Sequence, residues 1–262
     1  MDQLIDMTNS HIKTRLDPLL LYIGDPYPVT EKIIIYQPTI DDIILFGEKR
    51  FYDMVNVFIA NTTMYRLALW DMGMDWNKVS DFELFSYLIG TLNVEDTKIL
   101  FGEIDFTLFK PVPVVHEDSD VPYILYNEEQ GIVIDQEIYT IISNYIRTML
   151  NIFPKAEKAK GKATKEAIIW EEREKLRLAK EKDEGYSSIL YPMISSCLNH
   201  PGFKYNKNEL RHIGIVEFMD SVQRLQIYES TTALLKGVYS GMVDTKNIDS
   251  DEFNFMRDLS HK

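Results

Sequence analysis

The longest amphipathic pattern in the chain lies between residues 206 and 242, and it predicts one long helix with a short lead-in. Its apolar side chains recur at steps of three and four residues: Val216, Met219, Val222, Leu225 (or Gln226), Ile227 and Leu234. That spacing is typical of a helix that buries one face. We expect the other face to meet water or a partner through Glu217, Asp220, Arg224 and Glu229. Gly237 and Gly241 predict the end of the helix, because glycine readily adopts a left-handed cap.

The same periodicity predicts helices over residues 40–60, 62–72, 81–92 and 135–153. Thr39 and Asp135 are suited to cap the first and last of them, since their side-chain oxygens accept from free backbone N–H groups. Ser80 and Glu83 have the spacing of a capping box. Shorter helical patterns follow Asn93, cover residues 186–199 and close the chain at 251–259. The chain is therefore mostly helical.

Two regions read as β-structure instead. Residues 31–37 form a β-branched run, and residues 105–134 contain short apolar runs separated by turns. The letters NEEQG at 127–131 fit a hairpin loop. We expect these strands to share one small sheet. The predicted fold class is mainly α with a minor β element, an α+β helical bundle with a small sheet or hairpin.

Composition changes at residues 154–185, where charges of both signs alternate among good helix formers. This charged segment separates a mixed α/β part, 1–153, from a helical C-terminal part, 186–262, that we expect to pack with the first as one domain. Two interpretations of the charged segment stay open. It is a solvated helix stabilised by pairs four residues apart, or an arm that projects and contacts a partner.

The net charge of −13 argues against a nucleic-acid-binding surface, which needs clustered lysine and arginine. A single cysteine, Cys197, excludes an internal disulfide and favours a reducing compartment. Residues 1–16 lack the apolar run of a signal peptide, and no stretch approaches the length of a membrane span. We expect a soluble, intracellular protein without contact to membranes.

We find no residue pattern of a known catalytic site in the sequence. The acidic run 116–120 (HEDSD) is rich in oxygen ligands, yet such loops are usually solvated, so we predict no metal and no cofactor. Cys197 and His200 lie three residues apart, which indicates a buried structural thiol more than a nucleophile. No phosphate-binding, dinucleotide-binding or serine-hydrolase motif occurs. We therefore expect a protein that is not an enzyme.

Three stretches carry a family resemblance: QPTIDDIILFGEKRFY at 37–52, LWDMGMDW at 69–76 and EFMDSVQRLQ at 217–226. The short pieces YSG at 239–241 and FMRDL at 255–259 add to it. From about residue 30 onward, the chain resembles tail assembly chaperones of long-tailed phages of Firmicutes. The resemblance lies in the general character of these stretches and not in a diagnostic motif, and it includes no catalytic motif.

The resemblance implies a cytoplasmic protein of the bacterial host that acts during virion morphogenesis. Such chaperones coat the apolar, helical tape measure protein and recruit the major tail protein of the tube. The resemblance also implies self-association of many copies along one client. Two alternatives remain: a structural virion component such as a tail or connector protein, and a host-directed interaction protein.

Six side chains are candidates for partner binding. Trp170, Arg173 and Arg177 lie in the charged segment, and Phe218, Met219 and Arg224 lie on the long helix. Methionine suits a surface that repacks around varied apolar helices. We predict no catalytic residue, no cofactor ligand and no metal ligand.

Overall fold

The computed structural model describes residues 16–114, 123–182 and 185–257. Its α-helices, numbered in chain order, are α1 Pro18–Ile23, α2 Ile40–Phe46, α3 Glu48–Ile59, α4 Arg66–Asp71, α5 Asp81–Leu88, α6 Val94–Phe101, α7 Gln136–Leu150, α8 Lys162–Lys182, α9 Leu190–Asn199, α10 Lys207–Leu210 and α11 Ile215–Tyr239. The strands are β1 Tyr27–Pro28, β2 Ile34–Ile35, β3 Lys110–Pro113, β4 Tyr123–Asn127 and β5 Ile132–Ile134. The fold class is mainly α with a minor β element, as predicted.

The predicted helix starts are confirmed where a capping residue marks them. Thr39 accepts from the backbone N–H of Asp42, whose carboxylate accepts from Thr39 in return. Ser80 accepts from Glu83, and Asp135 accepts from Ile138. Each bond satisfies a donor that the first turn of a helix leaves free.

The helix predicted over 40–60 is two helices, and this correction has a local cause. Gly47 separates α2 from α3 with φ of 98°, a backbone angle outside the helical range. Glycine adopts this angle without the steric cost that a Cβ brings. The chain therefore turns between α2 and α3, although the apolar periodicity runs through the turn.

The prediction of one shared sheet is wrong. β1 pairs with β2 in a separate antiparallel ribbon, while β3, β4 and β5 form a three-stranded antiparallel sheet. The hairpin between β4 and β5 is at the predicted loop. Asn127 holds that loop, because its side chain accepts from the backbone of Gln130 and donates to the Gln130 side chain.

The main core forms where α3 and α7 pack against each other. Phenylalanine rings from several elements meet there, with centroids 4.7–5.7 Å apart around Phe58: Phe85, Phe101 and Phe106. The same apolar cluster takes in Cys197 of α9 and Ile215 and Phe218 of α11. The N-terminal and C-terminal parts of the chain therefore share one core.

Helix α11 is fixed at its start and open towards its end. Strand-like bonds join it to the entry of α2, where the N–H of Ile215 donates to Pro38 O and the N–H of Ile40 donates to Ile213 O. Ile215 and Phe218 are buried, while most side chains from residue 226 onward are exposed or half-buried. The residues of the predicted apolar stripe are all half-buried, and those packed against the main core lie in the first half of the helix: Val216, Met219, Val222 and Leu225.

The charged segment is docked at one end and exposed at the other. Ala159 and Ile169 are buried in a second apolar cluster around Trp76, and Arg66 of α4 pairs with Glu172 at 2.9 Å. From residue 175 to 182 every side chain is exposed. Neither interpretation of this segment is sufficient by itself, because its first half packs and its second half projects.

Replacing residues 158–182 by a short linker tests this arrangement. We expect a cooperative unfolding transition to remain, because the main core lies elsewhere. The loss of Ile169 from the second cluster is expected to lower the unfolding free energy by about 2 kcal/mol and Tm by roughly 4–8 °C. Calorimetry measures both, and a variant without any cooperative transition would contradict the prediction.

Candidate protein-binding surface

Four aromatic side chains from distant parts of the chain line one open cavity of about 320 Å³. They are Tyr22 of α1, Phe203 of the turn after α9, Tyr228 of α11 and Phe255 near the carboxyl end, and we name this cavity the aromatic cleft. Tyr228 and Phe255 are 54% and 53% exposed, with ring centroids 6.4 Å apart. Exposed aromatic rings are typical of protein-binding surfaces.

Helix α1 extends this apolar surface beyond the cleft. Asp17 caps the helix through the N–H of Leu19, and Leu21 is its buried residue, packed in the main core. Three of its other side chains, Leu19, Leu20 and Ile23, are 53–67% exposed. Contiguous exposed apolar side chains of this kind mark binding sites more often than isolated ones do. The cleft and α1 together form an exposed apolar region beside α11.

The charged groups of the cleft are paired within the protein. Arg224 donates to the backbone carbonyl of Arg257 at 2.8 Å, and its Nε lies 3.6 Å from Asp220. Lys204 lies over the ring of Tyr205, 4.6 Å from the centroid, and 3.6 Å from Glu217. The aromatic and apolar groups are therefore what the cleft offers to a partner.

Burial raises the pKa of Asp220, and the nearby Arg224 offsets part of that rise. A carboxyl whose pKa is higher in the folded chain favours folding at acidic pH and loses that contribution as the pH rises through the folded pKa. We therefore expect Asp220→Asn to raise Tm slightly at pH 7 and to leave it unchanged near pH 3. Melting curves of both chains across pH measure this, and a destabilised variant at pH 7 would contradict it.

A second opening lies on the other flank of α11, between α9 and α11. This α9–α11 groove has a volume of about 340 Å³ and is lined mainly by apolar groups: Met193, Cys197, Val222 and Leu225. Leu225 also lines the aromatic cleft. The middle of α11 is consequently open on both sides, which suits the binding of an extended or helical segment.

Cys197 and His200 come together at this groove without forming a nucleophile and its base. The Nδ1 atom of His200 accepts from the N–H of Gly202 at 2.9 Å, so the neutral ring carries its proton on Nε2. That atom lies 3.1 Å from the carboxylate of Glu229. Burial raises the pKa of the Cys197 thiol, which disfavours the reactive thiolate. Both ring nitrogens are thus engaged away from the thiol.

The long-helix candidates have three different environments. Arg224 lines the aromatic cleft. Met219 is half-buried against the main core. Phe218 is fully buried, so its assignment as a partner-binding residue is corrected: the ring fills the core and offers no surface. The apolar stripe identifies which face packs, but it does not separate the centre of that face from its edge.

The charged-segment candidates lie on α8, which packs against α4 and not beside the cleft. Trp170 is 66% exposed. Arg173 pairs with Asp71, and Arg177 lies within 2.6–3.0 Å of Glu174 and Glu181 on its own helix. These side chains form a separate exposed surface, and the structure does not join it to Arg224.

The four rings of the aromatic cleft are missing from the sequence-based candidates. Tyr22 and Phe255 are separated by more than two hundred residues, so no spacing relates them. Tyr228 lies outside the apolar stripe of α11 and is exposed, but Phe218 also lies outside it and is buried, so the stripe by itself could not identify the ring.

Among residues 16–114, 123–182 and 185–257, no group of three or more His, Cys, Asp or Glu side chains is placed to hold a metal ion. The acidic run 116–120 lies outside the described residues. Within the same ranges, the helices are too short or too polar to cross a bilayer.

Comparison with protein-family models, with curated proteins and with solved structures finds no match to this chain.

Proposed function

We propose that this protein is a non-catalytic binding protein that holds apolar segments of a client during assembly. The observation that carries the proposal is the aromatic cleft with its extension on α1, where apolar side chains stay exposed while neighbouring charges are paired within the chain. Tyr228 and Phe255 keep about half of their surface exposed, so the fold leaves part of both rings available to a partner.

We further propose that it is a tail assembly chaperone, which binds the tape measure protein and the major tail protein in the cytoplasm of a bacterial host. The resemblance of residues 37–52, 69–76 and 217–226 to that family supports this finer proposal. The openings beside α11 are compatible with such a client. A tape measure chain exposes apolar helix faces until the tube encloses them, and openings on both flanks of α11 suit such faces.

The acidic charge of the chain fits repeated binding along one client. A net charge of −13 keeps many copies apart except where they meet through specific contacts. We propose that self-association occurs on the client, where neighbouring copies are held at high local concentration.

Quantitative mass spectrometry of an infected-cell lysate and of gradient-purified particles tests the assembly role. Abundance in the lysate together with absence from particles is the expected result, because an escort leaves before the particle is complete. A fixed copy number in particles would overturn the proposal and make the chain a structural virion component. A lysate in which the chain is bound only to host proteins would make it a host-directed interaction protein.

A further inference from the structure

The carboxyl-terminal segment Thr245–Arg257, which we name the strap, lies across α11 without entering the core. It contains two short 3₁₀ turns, Thr245–Asn247 and Ser250–Phe253. No residue of the strap is buried, and Phe255 and Met256 are 53% and 70% exposed. Apolar burial, which holds most elements of a fold in place, therefore contributes little to holding the strap.

Polar contacts centred on Arg257 hold the strap instead. Its guanidinium donates to the Thr231 hydroxyl of α11 at 3.0 Å. Within the strap it also donates to the Glu252 carbonyl at 3.2 Å and lies 3.1 Å from the Glu252 carboxylate, which keeps the guanidinium in place. The Thr231 hydroxyl also donates to the Glu252 carbonyl at 3.0 Å. Thr231 is buried although α11 is exposed around it, so the strap is what covers this hydroxyl.

A third bond ties the end of the strap to the aromatic cleft. Arg224, which lines the cleft, donates to the backbone carbonyl of Arg257 at 2.8 Å. Phe255 packs edge-on against Tyr228 and forms one wall of the same cleft. The strap thus occupies part of the surface that the proposed function assigns to a client.

We propose that the strap is a displaceable lid of the aromatic cleft, and that a client segment with an aromatic side chain and a nearby arginine replaces it. The strap itself shows what the surface accepts: a ring beside Tyr228 and a guanidinium at Thr231. This inference rests on the proposed function, because the proposed function makes the aromatic cleft a binding site for a client. A segment that buries no side chain opens more readily than the core does.

Displacement is tested on the full chain with a labelled peptide of residues 249–257, DSDEFNFMR. Arg257→Ala removes the guanidinium that holds the strap, so the cleft becomes available for longer. Fluorescence anisotropy is expected to show that this variant binds the peptide more tightly than the unchanged chain, by about tenfold or more. The reason is that the apparent affinity of a covered site is its intrinsic affinity multiplied by the fraction of time that the site is open. The same peptide with Phe255→Ala is expected not to bind.

Arg177→Ala is the matched control, because Arg177 forms comparable ion pairs on α8 away from the cleft. It is expected to bind the peptide as weakly as the unchanged chain. Amide hydrogen exchange over residues 245–256 provides a second readout and is expected to be faster in Arg257→Ala only.

The two readouts separate the parts of the proposal. Unchanged exchange in Arg257→Ala would overturn the role of Arg257 in holding the strap. Faster exchange without tighter peptide binding would overturn the lid, as would equal binding by both chains. The peptide assay contains no client, so a negative result there overturns the lid but says nothing about the assembly role. The particle measurement tests the assembly role, and its outcome does not change the peptide result.

Discussion

Replacement of Phe218 by alanine is expected to destabilise the folded chain by about 3–5 kcal/mol, the usual cost of removing a buried phenylalanine ring. The ring is fully buried in the main core, so the substitution removes apolar contacts and leaves a cavity. Urea denaturation followed by circular dichroism measures the loss as a lower midpoint with an unchanged slope.

Tyr228→Ala is the matched control for this experiment. Tyr228 lies on the same helix but is 54% exposed, so its loss is expected to change the unfolding free energy by no more than about 0.5 kcal/mol. A Phe218→Ala chain that melts normally and yet fails to bind a client would contradict the core assignment. It would restore Phe218 as a partner-binding residue.

Removal of two rings from the aromatic cleft, by Tyr22→Ala with Tyr228→Ala, is expected to weaken client binding by about tenfold or more. Aromatic side chains are enriched among the few interface residues that dominate binding, and a combined loss of about 1.4 kcal/mol from the two rings is a tenfold loss of affinity. Both rings line the cleft, and Tyr228 is largely exposed. Titration of the tape measure protein, which is the client that we propose, with each chain measures the affinity, and thermal melting is expected to be nearly unchanged.

A matched double variant on α8, Trp170→Ala with Arg177→Ala, separates the two exposed surfaces. Trp170 is more exposed than either ring of the cleft variant, and Arg177 pairs only within its own helix among the contacts described. We expect this variant to keep its affinity for the client. Loss of binding here, with retention in the cleft variant, would move the client site to α8.

Local features explain why much of the fold was predictable. Thr39, Ser80 and Asp135 mark helix starts because their side chains bond backbone groups only three residues away. The hairpin between β4 and β5 follows from turn-forming residues between two apolar runs. Such features depend on short stretches of chain, and the sequence contains them completely.

Features that depend on distant residues were predicted poorly. The predicted pairing of β2 with the distant strands β3, β4 and β5 does not form, and β2 pairs with its sequence neighbour β1 instead. Met219 and Phe218 share the packed face of α11, but which of them is fully covered depends on the position of the neighbouring helices. The same holds for α8, whose first half packs against a cluster that other segments supply.

The sequence by itself determined that this protein is a mainly helical, acidic chain with one cysteine and marked helix starts, since periodicity, charge and caps are properties of neighbouring residues. Only the tertiary structure decided where it offers a binding surface. Tyr22, Phe203, Tyr228 and Phe255 meet because α1, α9, α11 and the strap pack together. A cleft built from four separate segments has no spacing in the sequence, so it exists only in the folded chain.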